Sequence, residues 1–329
     1  MPKCQVRIEI PGDEGFVRPG SELDVIVHVS CDSTMPCDGL SLTRRWRTHG
    51  IGNPERGSQR TVELFRGTWE PGEYAYPAKV PFPPRPTSYH GKSINLDWYL
   101  KAQASVPAKG EGEAEIMLLV VDPSPPKPYT APDHWAPKPV KLTTNTGASV
   151  ILSMLAVPVA FFLIFGAGPG GKLLLIPLAI LLFVAHKSLK GAATALGEAA
   201  LDVHPKVIQP GEELHVMLEF RPEMDLRIEH VRLTLAAEEK AISGSGTNTV
   251  TYRERIFDLE EVFGKNISVS PTEHFAEEVK FRLPVTAPCT MVADDNVTKT
   301  VLSLQIKPEG KNSLRYVRDI HVGLPDATT

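Results

Sequence analysis

Three arginines flank a tryptophan in the segment TRRWRTHG, at Arg44, Arg45, Trp46 and Arg47. Three guanidiniums beside an indole could hold an acidic peptide or anionic headgroups, each basic side chain near an anionic surface contributing about 1 kcal/mol. The plainer alternative is a strand whose arginines pair with the chain's own acids. The other chemical candidates fall short of a complete site. GAGPGGK at 166–172 has the glycine and lysine spacing of a phosphate cradle, but Leu173 follows where a Ser or Thr must hold magnesium. SGSG at 243–246 lacks the strand-to-helix turn of a serine nucleophile. Cys31 and Cys37 are too far apart for a C-x-x-C pair, and with His28 they would still need a fourth zinc ligand. Glu260 with Glu261, and Asp294 with Asp295, are sequence neighbours that face opposite ways on a strand. Asn266 and Asn296 head NIS and NVT, triplets of the glycosylation type. No catalytic, cofactor-binding or metal-binding residue is assigned, so the expectation is a non-enzyme without a cofactor.

The elements that must position these residues read as strands. RPGSELDVIVHV at 18–29 has a counterpart in QPGEELHVMLEF at 209–220: a Pro-Gly turn, an acid, then alternation. Leu23, Val25, Val27 and Val29 share one face, as do Leu214, Val216, Leu218 and Phe220. YAYPAKVPFP at 74–83 likewise matches FAEEVKFRLP at 275–284, each ending at a proline. Two matched segments in the same order indicate a duplicated unit. Short strands without long amphipathic helices predict antiparallel β-sandwiches in both halves. With 329 residues each half can bury its own core, and 35 basic against 39 acidic residues give a net charge of −4 that disfavours nucleic acid as a partner.

Between the halves the composition changes. DPSPPKPYTAPDHWAPKP at 122–139 is dense in proline and predicts a semi-rigid spacer. GASVILSMLAVPVAFFLIFG at 147–166 is uncharged and long enough to cross a bilayer, and KLLLIPLAILLFVAHKSLK follows after AGPGG. A helical hairpin in the membrane is therefore expected over 147–190, as two crossings; Pro158 and Pro177 in the middle of the runs leave open a re-entrant hairpin in one leaflet, and a buried soluble hairpin is the remaining alternative. Trp135, Lys141, Lys172 and Lys187 are its interface residues, and lysines on both flanks place both ends in the cytoplasm. Small residues after it, among them Gly191 and Gly197, have the spacing of close helix contacts, although a plain alanine-rich helix is the preferred reading; copies could associate through the hairpin.

The first half resembles the arrestin-like family. The resemblance is carried by the PG-x-x-L-x-V-x-V strand and by FPPRPTSYHGKSINLDWYLKAQASV at 82–106, with Pro19, Gly20, Pro86, Ser88, Tyr89, Gly91, Ile94 and Tyr99 as its clearest points. It implies tandem β-sandwiches that act as cytoplasmic adaptors rather than enzymes. The expected fold is mainly β: two antiparallel immunoglobulin- or arrestin-like sandwiches separated by an α-helical transmembrane hairpin. The expected boundaries are a first sandwich at 1–121, a linker at 122–146, the hairpin at 147–190, a helical connector at 191–200 and a second sandwich at 201–329. The expected function is a two-pass membrane-anchored adaptor that contacts lipid and a protein partner, with Arg44, Arg45, Trp46 and Arg47 as the contact residues. The alternative is a structural subunit of a membrane complex assembled through the hairpin.

Overall fold

Alternation of apolar residues sets the strands. After the first Pro-Gly turn, Val25, Val27 and Val29 are at most 1% exposed, and after the second, Leu214, Val216, Leu218 and Phe220 are equally enclosed. Both turns place their glycine at positive φ, +76° at Gly20 and +84° at Gly211, a conformation that side chains resist, which explains why the dipeptide recurs. The computed structural model describes residues 4–12, 15–106, 112–122, 134–144, 192 and 194–323.

The first half contains β1 (Cys4–Glu9), β2 (Glu22–Cys31), β3 (Met35–Gly50), β4 (Arg56–Trp69), β5 (Gly72–Pro81), β6 (Tyr89–His90), β7 (Ile94–Ser105) and β8 (Gly112–Leu118). They form the sheets β1-β2-β5 and β4-β3-β7-β6, with β8 also on β7. The stretch before the second half supplies β9 (Lys138–Val140) and β10 (Thr143–Thr144). The second half contains β11 (Glu198–His204), β12 (Val207–Ile208), β13 (Glu213–Arg221), β14 (Leu226–Ser243), β15 (Val250–Phe263), β16 (Ile267–Val269), β17 (Phe275–Arg282), β18 (Met291–Val292), β19 (Asn296–Pro308) and β20 (Leu314–Val322). Its sheets run β17-β13-β11-β9 and β10-β20-β19-β14-β15. The duplicated segments occupy equivalent places, since β2 pairs with β5 and β13 with β17, each antiparallel. Each sandwich closes over its own apolar core, Trp98, Leu100 and Val27 in the first, Phe220, Leu233 and Leu304 in the second.

The fold class differs from the expectation in one large respect. Among the described residues no helix is long and apolar enough to cross a membrane, so the described architecture is corrected to mainly β, with no transmembrane hairpin among those residues. The two-pass integral topology with both sandwiches in the cytoplasm is corrected with it, since no described helix supplies a crossing. The stretch 147–190, with Lys172, Lys187 and any association through the hairpin, lies outside the described residues. An uncharged run satisfies a length criterion for crossing, but the apolar residues just beyond it are buried in protein: Ala192, Ala195 and Leu196 are fully enclosed in the second core. Residues 194–196 are helical, and strand β11 begins at Glu198, inside the expected helical connector.

The end of the proline-rich stretch is docked rather than held away. β9 pairs with the edge of β11, and the half-buried Trp135 packs edge-on against His204 at 5.4 Å. Lys141 is exposed beside β9. Asp202, 3% exposed, secures the contact: it accepts from the amides of Ala136 (3.1 Å) and Val203 (2.9 Å) and from Lys206 Nζ at 2.5 Å. Burial works against the charge, but the Lys206 bond and the two amides outweigh it and hold the carboxyl at about 2, below its ordinary 3.8. A depressed carboxyl stabilises the fold fully above its unfolded value and ceases to do so as pH falls through its folded one. The stability gap between the wild type and Asp202→Asn, on the order of 1–2 kcal/mol at pH 7, should therefore close between about pH 4 and pH 2, as measured by denaturant unfolding across that range. A gap that persists at pH 2 would contradict this role for the charge.

Candidate functional site

The arginine cluster is divided by the alternation of β3. Arg44 points inward and is 7% exposed, its guanidinium 5.7 Å over Phe82 and 5.4 Å over Trp98 while it donates to the Pro81 carbonyl. Burial, reinforced by the nearby charge of Arg60, lowers its pKa. Trp46 lies on the same side, half-buried against the first core, with its ring over Gly57. Arg45 and Arg47 point outward and share Glu115, at 2.7 Å and 2.9 Å. Burial opposes ionisation of Glu115, yet the two guanidiniums hold its carboxyl below its usual range. The four residues therefore do not converge. Arg44 and Trp46 belong to the core, and Arg45 and Arg47 to an outward face.

That face carries more than the sequence motif suggested. Arg47 lies 3.6 Å over the ring of Tyr99, and Tyr99 pairs across the sheet with Met117, which is 61% exposed. Beside Met117 a groove of about 300 Å³ is lined by Ile10, Phe16, Leu23 and Leu119. On the same face Asp97, only 2% exposed, has one carboxylate oxygen 2.6 Å from His49 Nε2 and the other 2.8 Å from His90 Nε2. His49 and His90 lie forty-one positions apart in the chain. Strand register brings them together, a signal that pairing supplies and sequence spacing does not.

The strongest concentration of buried polar groups lies where the two sandwiches meet. Glu239, in the inward register of β14, is completely buried. Its carboxylate accepts from the Tyr89 hydroxyl and from the amides of Lys92 (3.2 Å) and Ser93 (2.9 Å), all in the first sandwich. Burial first, then the bond to Glu239, raises the Tyr89 phenol and keeps it a proton donor. A Cβ at Gly91 would stand 1.5 Å from Glu239 Oε1, so only glycine lets the loop wrap the carboxylate. Tyr89 and Gly91 are thus the residues of the S-Y-x-G motif that grip the second sandwich.

A second layer surrounds this clasp. Asn296, 2% exposed, donates to the Thr48 hydroxyl (3.2 Å), the Asn53 carbonyl (2.7 Å) and Glu55 (2.6 Å). Asn53 in turn donates its amide nitrogens to Ile242, Gly244 and Asp295. Ala241 and Met291 of the second half are members of the first half's core. The NVT triplet is thus internal, and Asp295 is a residue of the junction. Among the described residues no group of three metal-ligating side chains is poised to hold an ion.

The clasp generates a test. Gly91→Ala must displace the Glu239 carboxylate or the loop around it, leaving buried donors without acceptors. The expected result is a stability loss of about 3 kcal/mol in denaturant unfolding and a larger radius of gyration by solution scattering. A variant with unchanged unfolding and an unchanged radius would contradict the clasp.

No family model and no curated protein matches the chain. Among solved structures it is similar to Spo0M, sporulation control protein, from Bacillus subtilis, at 16% identity and a TM-score of 0.32, over 40% of this chain and 51% of that one. The chain thus spans about half the length of that structure, and a likeness of this extent carries no argument about fold or activity.

Proposed function

We propose that the chain is a non-enzymatic adaptor that binds a protein partner on the outward face of the first sandwich. The observation that carries this reading is the patch formed by Arg45, Arg47, Tyr99 and Met117 beside the apolar groove at Leu119. Arginine, tyrosine and methionine are the residue types enriched at protein interfaces, where the aromatic and apolar parts desolvate and the guanidinium fixes direction. Glu115 holds the two arginines in place in advance, so less side-chain freedom is lost on binding. The two outward guanidiniums beside exposed Met117 suit a segment that offers a carboxylate next to apolar side chains. The buried acids support the same reading, because Asp97, Asp202 and Glu239 are all engaged in structural hydrogen bonds. The arrestin-like resemblance of the first half implies an adaptor role as well.

Affinity capture from cells, comparing the wild type with a Tyr99→Ala, Met117→Lys double variant, tests the proposal. Val292, 79% exposed on the second sandwich, supplies the control as Val292→Lys. Both variants should remain folded with one cooperative melt, the control within about 2 °C of the wild type and the double variant lower by a few degrees through the lost Arg47–Tyr99 contact. The double variant should lose the captured partner and the control should keep it. A double variant that retains the full partner set would refute the outward face as the binding surface.

A further inference from the structure

Three of the four cysteines gather at one end of the first sandwich. Cys4 on β1 and Cys31 on β2 are directly opposite each other in the antiparallel register, although twenty-seven positions separate them in the chain. Opposed residues in such a ladder have Cα atoms about 4.5 or 5.5 Å apart, depending on whether the pair is hydrogen-bonded. Both values fall within the range of about 4.4–6.8 Å that a disulfide requires. The two side chains project to the same, inward side: Cys31 is 4% exposed and Cys4 is half-buried. Their thiols are also hydrogen-bonded to each other. Cys37, 3% exposed, comes from β3 in the facing sheet, and no register holds it to either partner.

We propose that Cys4 and Cys31 form a redox-responsive dithiol, which a hydroperoxide converts into a cross-strand disulfide that staples the first strand to its neighbour. The Cys4 sulfur, as thiolate, attacks one peroxide oxygen. An S–O bond forms, the O–O bond breaks, and the departing oxygen takes up the thiol proton to leave as water or an alcohol. The Cys31 sulfur then attacks the sulfenic sulfur, forming the S–S bond and expelling hydroxide, which leaves as water with the Cys31 proton. Two electrons pass from the thiols to the peroxide. Cys4 begins because it is the partly exposed member of the pair. Burial, followed by the neighbouring Cys31, pushes the Cys4 thiol up to about 12, and burial raises Cys31 and Cys37 as well. Thiolate is therefore scarce at neutral pH, and the disulfide forms over minutes to hours rather than in a burst.

The test treats the purified full chain with excess hydrogen peroxide, alkylates the remaining thiols and digests without reduction. Cleavage before Asp32 separates Cys31 from Cys37. The expected product is a Cys4–Cys31 cross-linked peptide two hydrogens lighter than the sum of its parts, with Cys37 alkylated. The melting temperature should rise by about 5–10 °C and return on reduction. Cys4→Ser and Cys4→Ala should each abolish both the cross-link and the shift, whereas Cys37→Ser should keep them. A Cys31–Cys37 cross-link, oxidation of Cys4 to sulfinic acid without a cross-link, or Cys4 and Cys31 both fully alkylated after treatment would each overturn the proposal.

Discussion

A carboxylate removed from water must be met by donors, and Glu239 meets them in the other half of the molecule. It is fully buried, and its three donors, the Tyr89 hydroxyl and the Lys92 and Ser93 amides, all belong to the first sandwich. Were the halves to part, the charge would have to be rehydrated and two amides would lose their acceptor. Replacing one buried partner alone is costly for the same reason. The junction is thus held by necessity on both sides, and the loop 50–55 with Asn296 extends it into a polar layer bordered by Ala241 and Met291.

The same logic fixes the segment that enters the second half. Asp202 is buried, and its acceptors are satisfied by a linker amide, a strand amide and Lys206. β9 then adds to the sheet edge, and Trp135 closes over His204. Two buried acids therefore determine how three parts of the chain are joined, while the apolar cores determine only that each sandwich forms. With the joints so fixed, the outward face of β3, β7 and β8 is presented on a single body, and its Arg47–Tyr99–Met117 arrangement is free of any structural duty at the junction.

What was legible in the sequence follows from what periodicity can encode. The inward sets at 23–29 and 214–220 were legible because alternation reports burial on one face, and the repeated Pro-Gly because a positive φ calls for glycine. Tyr89 and Gly91 stood out as a motif, yet their work was hidden, since nothing in AAEEKAIS distinguishes inward Glu239 from outward Glu238 without the register of β14. Asn296 looked like a surface acceptor triplet and lies inside. Arg44 and Arg45 looked like one cluster and face opposite ways. The pairs Cys4–Cys31 and His49–Asp97 depend on strand pairing over long separations, which no local spacing records. The expected membrane hairpin rests on composition alone; hydropathy measures how apolar a run is, and does not say whether neighbouring residues such as Ala195 and Leu196 bury themselves in protein.

The most direct measurement of the central claim is amide hydrogen exchange at Lys92 and Ser93 in the wild type and in Glu239→Ala. If the buried carboxylate joins the sandwiches, both amides exchange in the wild type only through opening of the whole junction, and in the variant their protection falls by at least about 100-fold while amides in the β2–β5 ladder keep theirs. Equal protection of Lys92 and Ser93 in the two proteins would show that the halves are held by something other than Glu239, and the account would fail at its base.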